Sequence, residues 1–103
     1  MIHVIATIEL REGTRDAFLA EFQKIVTPVR AEEGCIEYGP AVDVPSGLSA
    51  QDTVRADVVT VVEKWENLES LKKHLQAPHM IAYRPKVEKM VQATKLLVLA
   101  PVP

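Results

Sequence analysis

Residues 2–10 read "IHVIATIEL", and their alternation constrains the fold more than any other stretch. Ile2, Val4, Ala6, Ile8 and Leu10 fall on one side; His3, Ile5, Thr7 and Glu9 fall on the other. A period of two is the signature of a β-strand. The first face is wholly apolar and must be covered. The second carries Ile5 between His3 and Thr7, so it too expects a cover. A chain of 103 residues has material for one core and not a large one. A single helix layer can cover one face, and something else must cover the other.

The rest of the chain supplies that layer. "REGT" makes a turn, with Thr14 as the expected N-cap. Phe18, Phe22, Ile25 and Val29 follow at helical spacing with Leu19 and Val26 in support. Pro28 should kink or loosen the last turns, and Gly34 should end the helix. "CIEYGPAVDV" (35–44) reads as a second strand with a bulge or edge position at Gly39-Pro40. A polar loop fills 45–57, and "VVTVVEKWE" (58–66) is the most β-prone piece. On it Val59, Val61, Glu63 and Trp65 share a face. Asn67 is the expected cap of a helix with a Leu68, Leu71, Leu75 stripe. Pro78 stops that helix and starts another, about 78–91, carrying Ile81, Val87, Met90 and Val91. "TKLLVLA" (94–100) is the last strand. The order β-α-β-β-α-β predicts one α+β domain over residues 1–103 of ferredoxin-like type: a four-stranded antiparallel sheet with helices on one face. The exposed face would hold Ile5, Val58, Val62 and either Leu97 or Val98. Leaving such a face in water is unfavourable, which predicts a homodimer closed sheet to sheet.

Composition removes several classes of function. Formal net charge is −2 with both signs spread along the chain, which argues against nucleic acid as a partner. No apolar stretch approaches the ~20 residues of a membrane span. The N-terminal segment lacks a basic region and cleavage site, and Cys35 has no partner for an internal disulfide, so a cytoplasmic location is expected. No phosphate-binding glycine loop, nucleophile elbow or dinucleotide fingerprint is present. One Cys and three scattered His fall short of a structural zinc set, so no metal is expected. The residual possibility is His74, His79 and a carboxylate.

A few side chains could do chemistry. Trp65 offers an aromatic face and one N–H donor to a pocket between sheet and helices, or packs in the core. Glu63, on the same face, needs a partner or a raised pKa if covered. In "HLQAPHM" the two imidazoles are five residues apart across Pro78, not the i, i+4 of a helical metal pair, so His79 starts a new helix. His74, three after Leu71, can point into a cleft and is the better general base. Arg84 could hold an anionic oxygen, with Tyr83 beside it, and Tyr38 could present a hydroxyl at the pocket mouth. Cys35 reads as a small buried residue.

"EEGCIEYGP", "VVEKWENLESLKKHL" and "APHMIAY", in that order and spacing, resemble the antibiotic biosynthesis monooxygenase superfamily over nearly the whole chain. The resemblance is closest to its bacterial quinol monooxygenase branch. It implies a dimeric α+β barrel with a pocket between sheet and helices in each subunit. For the oxygenases it also implies a reaction with O2 and no metal, flavin or haem cofactor. Trp65 and Arg84 match the pocket Trp and Arg of the polyketide-type oxygenases. Their pocket Asn and helix Tyr fall on Val61 and Leu71, so this pocket is more apolar. The Asn and His of the haem degraders fall on Ala6 and near Arg84, which disfavours haem. The expected function is therefore cofactor-independent monooxygenation of a quinol or similar hydroxylated aromatic. His74 or Glu63 would be the base, Trp65 would stack on the ring, and Arg84 or His79 would steady the oxyanion. Isomerisation of a small ketose-like signal molecule, or binding of a small molecule without turnover, are the alternatives.

Overall fold

The computed structural model describes all residues, Met1–Pro103. Seven elements follow one another: β1 (Ile2–Leu10), α1 (Arg15–Arg30), β2 (Cys35–Ala41), β3 (Val58–Trp65), α2 (Leu68–Leu75), α3 (Pro78–Val87) and β4 (Val91–Leu99). The strands form one antiparallel sheet in the order β2-β3-β1-β4. This is the ferredoxin-like α+β arrangement, with its second helix split in two at Pro78.

Register decides which side chains share a face. Val4 lies opposite Glu63 and Val98, and Ala6 lies opposite Val61 and Leu96. Ile5 lies opposite Val62 and Leu97, so Leu97 and not Val98 belongs to the outer face. The inner face buries Val4, Ala6, Ile8, Leu10, Val59, Val61 and Trp65 against Phe18, Phe22, Ile25, Val26 and Val29 of α1. Helix packing concentrates on β2 and β3. β4 is left uncovered on both sides: Leu96 and Val98 on the inner, Leu97 and Leu99 on the outer, all roughly half exposed.

Several local expectations change. Thr14 sits at the N-cap of α1, but its hydroxyl donates to Arg11 O at 2.7 Å and caps nothing. Pro28 is carried inside α1, which runs two residues further. Its missing N–H costs the bond to Lys24 O, and with only two helical residues after it little of the helix lies beyond any bend. β2 ends at Ala41, not 44. In α2 the buried pair is Leu71 and His74, while Leu68 and Leu75 reach solvent. In α3 Met80, Tyr83 and Val87 turn inward and Ile81 turns out. β4 begins at Val91, because Val91 and Ala93 pair with Leu10 and Glu9 around a bulge. Asn67 does cap α2, accepting the Ser70 N–H at 2.9 Å, a contact worth about 1 kcal/mol.

The turn after α1 controls the site. Glu32 N–H donates to Val29 O at 2.9 Å and Cys35 N–H donates to Glu32 O at 3.1 Å. Gly34 closes this turn at φ +85, and its carbonyl accepts Glu66 N–H at 2.8 Å. A Cβ on Gly34 would overlap the Ser70 side chain. Gly34→Ala is therefore expected to cost about 2 kcal/mol or more, combining left-handed backbone with overpacking. Gly13, at φ +78 but facing open space, should lose only about 1 kcal/mol as Gly13→Ala. Urea unfolding of the two variants measures the difference.

Candidate active site

A cavity of about 310 Å3 lies between the helices and the inner face of the sheet. Ala6, Ile8 and Val61 form its floor, and Phe18, Phe22, Tyr38 and Tyr83 its aromatic wall. Phe22 stacks on Tyr38 with centroids 5.6 Å apart, and Tyr83 stands edge-on to Phe22 at 6.0 Å. The polar atoms are few: Glu63, His74, Thr94 and, at the mouth, Arg84. Such a space favours a small, flat, largely apolar molecule with one or two polar groups.

Glu63 points into the cavity because it occupies an inner-face position of β3, between the flanking partners Val4 and Tyr38. Its Oε1 accepts the Trp65 indole N–H at 2.9 Å. Burial pushes the carboxyl up to about 7; the Trp65 hydrogen bond opposes this and the Glu32 charge adds to it. Trp65 itself is completely buried and stands behind Glu63, not on the cavity wall. The expectation that its ring stacks on a ligand gives way to a supporting role: it holds Glu63 and packs on His74 at 4.8 Å.

His74 is brought inward by the last turn of α2 and is only 2% exposed. Its Nδ1 lies 2.9 Å from Glu32 Oε2, and Tyr38 meets its ring edge-on at 5.4 Å. Burial lowers its pKa; the hydrogen bond and charge of Glu32 resist, while His79 and Arg84 push the same way as burial. Burial thus favours the uncharged imidazole. Donation of Nδ1–H to Glu32 fixes the tautomer and leaves Nε2 with a free lone pair. Nε2 makes no hydrogen bond within the protein, and His74 is among the residues that line the cavity.

His79 Nε2, in the first turn of α3, lies 2.7 Å from the same Glu32 oxygen. Pro78 does break the helix between the imidazoles, yet Glu32 reunites them from the turn after α1. Glu32 is the site residue that sequence reasoning missed. Its one local mark is the "EEGC" segment just past a helix end. The three donor atoms lie within 4.8 Å of one another.

The remaining candidates take three different places. Tyr38 and Tyr83 are buried in the wall, and burial raises both phenols far above their ordinary value, so they act only as neutral hydroxyls. Arg84 lies at the rim, where its guanidinium donates to Leu75 O at the end of α2. The Cys35 thiol is pushed up by burial and by the Glu32 and Glu63 charges, so it stays protonated. It borders a separate open groove of about 480 Å3 along β2, with Arg30, Ile36, Pro40 and Val62. That groove has no imidazole and no buried carboxyl, which favours the cavity beneath the helices as the candidate site.

The fold and cavity define a class: a small α+β domain that encloses an apolar ligand pocket beneath its helices, with a carboxyl and an imidazole facing inward. The chain belongs to the antibiotic biosynthesis monooxygenase family, whose model matches residues 1–86. It is 42% identical to the probable quinol monooxygenase YgiN of Escherichia coli, over 98% of each chain. Among solved structures, Rv0793 of Mycobacterium tuberculosis is 26% identical with a TM-score of 0.80, covering 99% of this chain and 95% of that one. PA3566 of Pseudomonas aeruginosa, 24% identical with a TM-score of 0.81 over 99% and 94%, shares the fold.

The raised Glu63 carboxyl has a consequence for stability. Its folded pKa, about 7, exceeds the ordinary 4.5, so its contribution is fully present below pH 4.5 and is lost as pH rises through 7. The loss at pH 8.5 is on the order of 3 kcal/mol. Glu63→Gln keeps an acceptor for Trp65 and never ionises. It should melt near the wild type at pH 5 and several degrees above it at pH 8.5, as read by calorimetry across that range.

Proposed function

We propose that the protein is a cofactor-independent monooxygenase that oxidises a quinol or similar hydroxylated aromatic with O2, and that it works as a homodimer. The observation that carries the reading is a buried His74, held through Nδ1 by Glu32, in the lining of an apolar, aromatic-walled cavity. The 42% identity to a probable quinol monooxygenase supports it.

An aromatic ring entering the cavity packs against Phe22, Tyr38 and Tyr83, with one phenolic hydroxyl toward His74 Nε2. His74 takes the proton and Glu32 stabilises the imidazolium that results. The deprotonated ring is then electron-rich enough to pass an electron to O2 itself, so the substrate does what a bound cofactor would otherwise do. Glu63, protonated on the acid side of pH 7, donates a hydrogen bond to a second ring oxygen, with Tyr38 and Tyr83 as further neutral donors. The apolar lining keeps water from the reactive intermediate. The overall balance is quinol plus O2 giving hydroxyquinone plus water: one oxygen atom enters the ring and the other leaves as water.

The exposed apolar faces of β4 support the dimer. Leu96, Leu97, Val98 and Leu99 put apolar side chains on both faces of an edge strand, next to Ile5 and Val62 on the outer face. A second copy laid sheet to sheet covers the outer set without exposing new apolar surface.

His74→Ala is expected to lower kcat by about 100-fold or more with KM little changed, measured by oxygen consumption over a hydroquinone panel. Wild-type turnover that persists without O2 would point instead to proton-transfer isomerisation, and ligand-induced thermal shifts without any turnover to a binding module. Leu97→Glu should convert the dimer to monomer in sedimentation velocity; a wild type already monomeric at micromolar concentration would refute the assembly.

A further inference from the structure

The geometry points to a second use of the same corner: Glu32, His74 and His79 form a binding site for one divalent transition-metal ion of the zinc class. Its occupancy takes the His74 base out of service. The second half of this statement rests on the proposed oxygenase reading; the first half does not.

The donors come from three separately anchored segments, the turn after α1, the last turn of α2 and the first turn of α3, yet converge within 4.8 Å. Glu32 Oε2 is 2.9 Å from His74 Nδ1 and 2.7 Å from His79 Nε2. Ligand atoms around a tetrahedral ion at ordinary bond lengths stand roughly 3.3–3.6 Å apart. Reaching that arrangement asks only for shifts of an ångström or so: the oxygen eases away from each nitrogen and the nitrogens close toward each other. Glu32 is ion-paired with no lysine or arginine, only with the two imidazoles, so an incoming cation displaces hydrogen bonds and no competing positive charge. Accessibility is graded. The side chain of His79 is 26% exposed, that of Glu32 14% and that of His74 3%, which gives the ion a way in from solvent. Two imidazoles and one carboxylate suit Zn2+, Co2+ or Ni2+, with water completing the shell.

Coordination changes the cavity chemistry. An ion on His74 Nδ1 displaces the proton from that nitrogen, and the neutral ring then carries its proton on Nε2. Nε2 becomes a donor where it had been an acceptor. The ion is thus a reversible inhibitor of the proposed reaction and supplies no step of it.

The test uses the full chain after chelator treatment and dialysis. Calorimetric titration with zinc chloride should show one ion per chain at micromolar affinity. Cobalt chloride should give visible absorption bands of a nitrogen–oxygen site. His79→Ala and Glu32→Gln should each weaken binding by at least ~30-fold. In case either variant folds poorly, wild-type imidazole NMR supplies an independent reading: Zn2+ should move the His74 and His79 resonances and leave His3 in place. Absence of saturation below about 1 mM, equal affinity in both folded variants, or a response confined to His3 overturns the site. None of these measurements needs a substrate. A protein that binds Zn2+ here but never turns over a quinol would refute the oxygenase and keep the metal site. Quinol turnover that continues at full rate with the site saturated would overturn the inhibitory role.

Discussion

One carboxylate oxygen, Glu32 Oε2, ties together the part of the molecule where chemistry can happen. It accepts from two imidazoles that belong to different helices, and it is itself fixed by a turn that only a glycine at position 34 closes without collision. Core packing of Leu71, Met80, Tyr83 and Val87 holds α2 and α3 on the sheet, and this contact adds a polar tie across the break at Pro78. Through it the tautomer of His74 is set by a residue 42 positions away along the chain. Hydrogen bonds to a charged acceptor are about twice as strong as neutral ones, which suits a contact that must hold two helix ends.

Behind that corner the Trp65–Glu63 pair does the complementary work. A buried carboxyl is expensive, and the indole N–H offsets part of the cost while burial keeps the rest. The same low-dielectric surroundings lower His74 and raise Glu63, so an ordinary acid and an ordinary base approach one another in proton affinity across a single cavity. This is how protein sites make acid and base chemistry available near neutral pH without unusual residues.

Much of the frame was legible in the sequence because it depends on local periodicity. The alternation of Val59, Val61, Glu63 and Trp65 placed all four on the covered face, and the β1 pattern announced a sheet with two apolar sides. What local pattern could not supply was contact between distant segments. Glu32 has the appearance of an ordinary solvated residue after a helix; only the folded turn aims it at His74 and His79. The Leu68, Leu71, Leu75 stripe was misleading for a related reason. Leucines at helical spacing attract the eye, but the helix is rotated so that Leu71 and the imidazole of His74 face inward. Trp65 was placed on the correct side of the sheet and at the wrong depth, since periodicity gives the face and says nothing about how many layers lie above it. Val91 continued the helical apolar spacing and was drawn into β4 by pairing with Leu10 of β1, a non-local gain that spacing alone cannot weigh.

The sole tryptophan of the chain sits with its indole nitrogen on Glu63 and its ring against His74. The molecule therefore carries its own optical gauge of the site. Every change in tryptophan emission originates within a few ångströms of the two groups whose protonation matters. An imidazole quenches a neighbouring indole most strongly once it is charged. The steady-state emission of the unlabelled protein thus reads the ionisation of Glu63 and His74 together, with no background from tryptophan elsewhere in the fold.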